Sequence, residues 1–193
     1  MLTTRKIVLA STSPRRAALL RQLGLHFQVK ANGVEETTEP ALTPRENVLR
    51  LSFEKAKTVA ASVDDGFIIG ADTLVVLEGR LLGKPKDAGE AEGMLKMLSG
   101  RTHTVCTGFT IFEKPGGRYI SDADETTVQF RALDDDEIRE YVRSGTPLDK
   151  AGAYGIQDDR GAVFVERIEG CFYNVVGFPL TKFYVAFRKF LAG

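Results

Sequence analysis

The chain has 193 residues, 43% of them hydrophobic and 27% charged, enough for one compact core and ordinary for a globular protein. Lys plus Arg equals Asp plus Glu at 26 each, a formal net charge of zero. No overall field draws such a chain to a nucleic-acid polymer or an anionic membrane, so any anion site has to be local.

No apolar run approaches the ~20 residues of a bilayer span. The opening MLTTRKIVLASTSPRR also lacks the apolar stretch of a signal peptide, so the expectation is a cytoplasmic protein. RKIVLA (5–10) reads as a buried strand. Ser13 and Pro14 then start a helix as N-cap and first helical residue, and Gly24 closes it. Arg15 and Arg16 stand at that helix start, where unpaired N–H groups already carry partial positive charge and cations are unwelcome. An anion visiting the same place resolves the conflict.

LHFQVKA (25–31) alternates like a strand, and NGVEETTEPALT (32–43) reads as a polar loop. Thr43 and Glu46 form a capping-box pattern for a helix from Pro44 to about Ser62. FIIGADTLVVLEGRLLGKP (67–85) reads as a buried strand, a turn at Glu78-Gly79 and a short return ending at Pro85. DAGEAEGMLKML (87–98) is helical, closed by Ser99-Gly100. THTVCTGFTIFE (102–113) and RYISDADETTVQFRAL (118–133) read as strands joined by Pro-Gly-Gly. DDDEIREYVRSG (134–145) is a helix with an acidic first turn. GAVFVERIEG (161–170) reads as a strand, and an amphipathic helix occupies about 177–191. The expectation is a single α/β domain.

Two cysteines, Cys106 and Cys171, and two histidines, His26 and His103, give neither a disulfide framework nor a Cys-rich zinc site, and exclude a three-histidine metal site. They also suit a Ser-His-Asp device poorly. Catalysis therefore falls to carboxylates, lysines, arginines or a metal.

Val48, Leu51, Lys55 and Val59 fall on one helical stripe, which puts Lys55 on the core side. A lysine snorkelling to an edge and one aimed at a ligand both satisfy that pattern. In the second case Lys55→Met should keep or improve stability while lowering activity. Asp72 interrupts the apolar run FIIGADTLVVL, a costly place for a carboxylate unless it is hydrogen-bonded, paired or metal-bound. Gly70 and Ala71 before it leave room for something to approach the backbone. Lys84, in GKP, and Glu36, in VEE, would be unremarkable alone. Together Arg15, Arg16, Lys55 and Lys84 with Glu36 and Asp72 suit a polyphosphate and a divalent ion: guanidinium forks and ammonium charge for phosphate oxygens, hard carboxylate oxygens for the metal. The Walker pattern GxxxxGK[ST] is absent, which excludes a P-loop.

The strings LASTSPRR, EKA (54–56), GADTLVVLEG, GKP, PLDKAGAYGIQ and YNVVGFPL, in this order along nearly the whole chain, resemble the Maf family of septum-formation-inhibitor-like proteins. The resemblance implies a mixed twisted sheet flanked by helices with a central cleft, similar to inosine triphosphate pyrophosphatases, over a single domain of residues 1–193. It implies a cytoplasmic nucleoside triphosphate pyrophosphatase, dimeric in many relatives, using Mg²⁺ or Mn²⁺. GADT and AGAYGIQ are similar to the branch acting on thymidine and uridine triphosphates. The resemblance makes Asp72 the proton acceptor and Arg15, Thr73 and Gln157 specificity positions. Ser11, Arg16, Lys55 and Lys84 match phosphate positions, and Glu36 and Asp72 metal positions. Two rival readings are a nucleotide-binding regulator of cell division and a pyrophosphatase for other non-standard nucleotides.

Overall fold

The computed structural model describes residues 2–158 and 160–193. In chain order the strands are β1 (Ile7–Leu9), β2 (Gln28–Val29), β3 (Gly66–Leu77), β4 (Arg80–Leu82), β5 (Thr102–Lys114), β6 (Tyr119–Phe130) and β7 (Val165–Glu169). The helices are α1 (Pro14–Gln22), α2 (Pro44–Ala60), α3 (Ala88–Leu98), α4 (Asp135–Arg143), α5 (Phe172–Val176) and α6 (Leu180–Ala192). The strands form one mixed sheet in the order β2-β1-β3-β5-β6-β7, with β4 paired to β3. β1 runs parallel to both β2 and β3, whereas β4 is antiparallel to β3 and β7 to β6. The expected α/β class with a mixed, helix-flanked sheet is what the chain adopts.

The chain divides into two compact units. One gathers residues up to Asp72 with Thr107–Asp124 and Gly177–Gly193; the other gathers Thr73–Cys106 and Glu125–Val176.

In the first unit α2 is the dominant helix, and its start is built as the sequence proposes. The Thr43 hydroxyl accepts the Glu46 N–H at 3.2 Å while the Glu46 carboxylate accepts the Thr43 N–H at 2.8 Å. Val48, Leu51, Lys55 and Val59 are all buried, and each apolar member contributes ~1.5–3 kcal/mol by leaving water. Ala56, Val59 and Ala60 pack with Val8, Ala10, Val63 and Ile68. The space at Gly70 is filled by this helix: a Cβ there would lie 2.1 Å from the Ser52 carbonyl oxygen and 2.8 Å from the Ala56 nitrogen. A Cβ at Gly108 would lie 2.6 Å from the Val48 carbonyl oxygen. Two glycines on β3 and β5 thus seat the α2 backbone directly on the sheet.

The second unit centres on aromatic rings. Phe130 meets Tyr154 at 4.7 Å and His103 at 5.0 Å between centroids, and Phe164 meets Tyr141 at 5.1 Å. His103 is buried, with Nε2 2.8 Å from the Tyr154 hydroxyl and Nδ1 without a hydrogen-bond partner. Burial holds its pKa down at about 4, because an imidazolium loses hydration there. The unfolded chain, with an ordinary histidine, takes up a proton near pH 6.5, whereas the native state waits until about 4. Stability is therefore lost as pH falls through that window, by about 1.4 kcal/mol per unit. Urea unfolding of the wild type and His103→Phe between pH 7 and 4.5 should show a steeper acid loss in the wild type; equal slopes would remove His103 from the acid response.

Three expectations change. The 25–31 strand shrinks to Gln28 and Val29, both exposed, because only Val8↔Gln28 and Leu9↔Val29 pair at the end of the sheet. Residues Gly161–Phe164 form a 3₁₀ turn before β7 rather than its first half. The stretch beginning Cys171 contains the short helix α5, which the sequence pattern did not single out.

Candidate functional site

In the first unit, the end of β1, the start of α1, the following loop, α2 and β3 supply Ser11, Arg16, Glu36, Lys55 and Asp72. Lys55 is 1% exposed and Asp72 4%, and their geometry accounts for both. Lys55 Nζ donates to Asp72 Oδ1 at 2.5 Å and to Glu36 Oε1 at 2.6 Å. Lys55 is therefore neither snorkelling nor isolated; it joins a buried carboxylate to one on an exposed loop. The helix seat at Gly70, two residues before Asp72, sets this spacing.

This pairing overturns the expectation that Lys55→Met keeps or improves stability. Methionine fills the volume but leaves the Asp72 carboxylate buried without its counterion, and breaking one half of a buried pair is strongly destabilising. The Asp72 pKa lies above the usual carboxylate value. Burial raises it, Lys55 and then Arg16 pull it back, and the charge of Glu36 adds a further rise.

Arg16 is half-buried. Its Nε donates to the Gly177 carbonyl at 3.0 Å and one terminal nitrogen to Ser11 Oγ at 3.3 Å. Burial lowers its pKa, against the raising influence of Asp72 and Glu36, but guanidinium stays protonated at any working pH. Ser11 is 4% exposed and also accepts the Ser13 N–H. Arg15, one position earlier on α1, is half-buried. The Ser13 side chain makes no cap bond to the helix; the hydroxyl that organises this helix start belongs to Ser11.

The segment carrying Glu36 has no helix or strand between Lys30 and Glu39, yet α2 holds it at several points. Asn47 Oδ1 accepts the Glu39 N–H at 2.7 Å, and Asn47 Nδ2 donates to the Glu39 and Leu42 carbonyls at 3.0 and 3.1 Å. Arg50 donates to the Thr37 carbonyl at 2.6 Å. Asn32 anchors the other end through the Ala10 carbonyl at 3.0 Å. Sequence reasoning missed Asn47 and Arg50. The available signal was Asn47, fully buried beside Val48, because an amide so placed has to satisfy its polar atoms against nearby backbone.

The second unit carries Thr73, Lys84 and Gln157. Thr73 follows Asp72 on β3 and is half-buried; Lys84 is exposed just after β4; Gln157 is exposed in the turn after Tyr154. Gln157 Nε2 donates to Asp158 Oδ1 at 2.8 Å. Asp158 escaped sequence reasoning because its other partners are Tyr141 on α4 and Lys150, which follows the Thr146–Asp149 turn, and no local pattern joins them to it.

The sequence offers the oxygens of Glu36 and Asp72 as donors for a divalent metal, and the structure brings both carboxylates onto Lys55 Nζ. Among the described residues no group of three or more His, Cys, Asp and Glu side chains gathers as a self-contained cage. Mg²⁺ is commonly held by one or two carboxylates, with phosphate oxygens and water completing the shell. Two carboxylates that meet on one ammonium fit an ion that arrives with a phosphate ligand. Among the described residues no helix is long and apolar enough to cross a membrane.

A family model described as Maf-like protein matches residues 6–190. Curated relatives include a dTTP/UTP pyrophosphatase of Pelotomaculum thermopropionicum, 48% identical over 96% of this chain and 97% of its own. That of Carboxydothermus hydrogenoformans is 50% identical over 95% and 98%, and that of Methanosarcina barkeri 50% over 92% and 90%. Among solved structures, the Staphylococcus aureus Ham1 protein aligns over 65% of this chain and 71% of its own, at 14% identity and a TM-score of 0.44.

Proposed function

The chain belongs to the Maf-like protein family, and from that premise we propose that it hydrolyses dTTP and UTP to the monophosphate and pyrophosphate. It is a nucleoside triphosphate pyrophosphatase, as its relatives of about 50% identity across the chain are named. The observation that carries the mechanism is the buried Asp72 carboxylate on the Lys55 ammonium at 2.5 Å.

In this mechanism Asp72 orients a water molecule and takes its proton as the water oxygen bonds to the α-phosphorus. The bond from that phosphorus to the bridging α–β oxygen breaks, and pyrophosphate leaves. A raised carboxylate pKa makes Asp72 a stronger base while Lys55 keeps it ionised. Arg15, Arg16, Lys55 and Lys84 neutralise the phosphates, and the Ser11 hydroxyl donates to a phosphate oxygen. Glu36 and Asp72 would hold the Mg²⁺ or Mn²⁺, whose chemistry is to offset phosphate charge and acidify bound water. Positioning and charge neutralisation supply most of the rate.

Arg15, Thr73 and Gln157 select the base: arginine donates to a ring carbonyl, and the carboxamide offers both a donor and an acceptor. Pyrophosphate release with added metal should be faster for dTTP and UTP than for CTP or purine triphosphates. Gln157→Ala should narrow the UTP-to-CTP gap in kcat/KM, by about five- to 150-fold for ~1–3 kcal/mol of mispaired polar groups, while lowering pyrophosphate chemistry less. Equal kcat/KM for UTP and CTP in the unmutated protein would overturn the substrate assignment. Tight nucleotide binding with negligible turnover would overturn the enzyme.

A further inference from the structure

A carboxamide has two ends of opposite chemistry, so a glutamine that reads a base needs something to decide which end faces outward. At Gln157 the deciding group is the next residue. Asp158 accepts from Gln157 Nε2 on Oδ1 at 2.8 Å, while its Oδ2 accepts from the Tyr141 hydroxyl at 3.0 Å and lies 3.3 Å from Lys150 Nζ. Tyr141 and Lys150 are both buried, at 2% and 7% exposure. The Tyr141 oxygen also accepts the Gly155 N–H at 3.2 Å, which ties the network to the turn that carries Gln157. Burial and the charge of Asp158 hold the Tyr141 pKa above its ordinary value, so the phenol stays a donor. The packing allows nothing more at this point. A Cβ on Gly155 would lie 2.4 Å from Asp158 Oδ2 and 2.8 Å from Gln157 Nε2, and one on Gly161 would lie 2.9 Å from the Tyr141 hydroxyl.

We propose that Asp158, held by Tyr141 and Lys150, is a positioning residue that fixes the Gln157 carboxamide with its NH₂ toward the protein and its carbonyl toward the substrate, and so selects pyrimidines that carry an N3–H. An ionised carboxylate can only accept, so the NH₂ is the only end of the amide it can hold. The outward carbonyl then accepts the N3–H of uracil or thymine. Cytosine offers an unprotonated N3, acceptor against acceptor, and loses the bond while leaving both groups unpaired.

The same geometry predicts an inversion. In Asp158→Asn, Tyr141 and Lys150 both donate and therefore hold the new side-chain oxygen. Its NH₂ is left facing Gln157, whose carbonyl turns inward and whose NH₂ turns outward, where it suits cytosine N3.

The inference rests on the dTTP/UTP reading, and kinetics with UTP and CTP on the wild type, Gln157→Ala and Asp158→Asn separate the two. A wild-type UTP-to-CTP ratio of kcat/KM near one overturns the substrate reading itself. Given a wild-type preference for UTP, Asp158→Asn should lower the ratio by at least about tenfold, chiefly through a higher KM for UTP, with CTP hydrolysed no more slowly than before. Equal losses for both nucleotides, with the ratio kept, would make Asp158 a merely structural residue and overturn the inference. An unchanged ratio in Gln157→Ala would do the same. If Asp158→Asn does not fold, NMR of the ¹⁵N-labelled wild type decides, its Gln157 side-chain signals assigned by their loss in Gln157→Ala. Two well-separated amide protons, one shifted downfield and slow to exchange, support the fixed carboxamide; a pair like that of free glutamine overturns it.

Discussion

Asp72→Asn should lower kcat for dTTP and UTP by ~10²–10⁴ while the protein stays folded. The amide preserves shape and an oxygen that can accept from Lys55, and Lys55 retains Glu36 at 2.6 Å. What disappears is the proposed proton acceptor and one of the two proposed metal donors. The pH profile gives an independent check. A general base works only when ionised, so wild-type activity is lost as pH falls through the Asp72 pKa. Burial raises that pKa above the usual carboxylate range, which moves the acid limb of kcat/KM upward in the same direction. In Asp72→Asn the residual rate should lose that limb. Near wild-type turnover in a folded Asn variant, or an acid limb that survives it, would remove Asp72 as the base.

Lys55→Met is the second large effect, and it should appear in stability as well as rate. Asp72 would remain almost fully buried beside an apolar side chain, a situation that costs about 3–5 kcal/mol when one partner of a buried pair is removed. The protein escapes part of that cost by protonating Asp72, which disables the base. The single variant should therefore unfold at lower urea and lose activity most severely at neutral and acidic pH, with some recovery as pH rises. In the double variant Lys55→Met/Asp72→Asn no buried charge is orphaned, so much of the lost stability should return. Strictly additive losses would mean that the pair is not coupled as its 2.5 Å separation requires.

Local chemistry dictated much of the fold. The capping box at Thr43 and Glu46, the apolar stripe of α2 and the apolar residues on either side of Asp72 in β3 are strong signals over a few residues, and these elements form where expected. β2 is shorter than the pattern predicts because alternation in LHFQVKA says nothing about how much partner strand is present, and β1 pairs with it at only two positions. The Gly161–Phe164 turn and α5 are short, and tertiary packing rather than pattern decides such pieces. In the site, the oddity of Lys55 and Asp72 was visible separately, as a cation on an apolar stripe and an anion in an apolar strand. Their meeting, and the reach of Lys55 to Glu36, depends on α2 lying against Gly70, a contact across sequence that composition cannot reveal. The Tyr141–Asp158–Gln157 chain was wholly hidden, since each member is ordinary in its own neighbourhood.

The hold of α2 on the segment between Lys30 and Thr43 has a consequence for proteolytic susceptibility. A stretch rich in exposed glutamates and free of regular secondary structure is a usual first target for a glutamate-specific protease. Here Asn47, Arg50 and Lys55 bind its backbone and its Glu36 side chain from one helix. Cleavage requires those contacts to open together, so its rate follows the population of that opening. The intact protein should therefore resist nicking after Glu35 and Glu36. Asn47→Ala should be cut there well before any change in its global unfolding midpoint accounts for it.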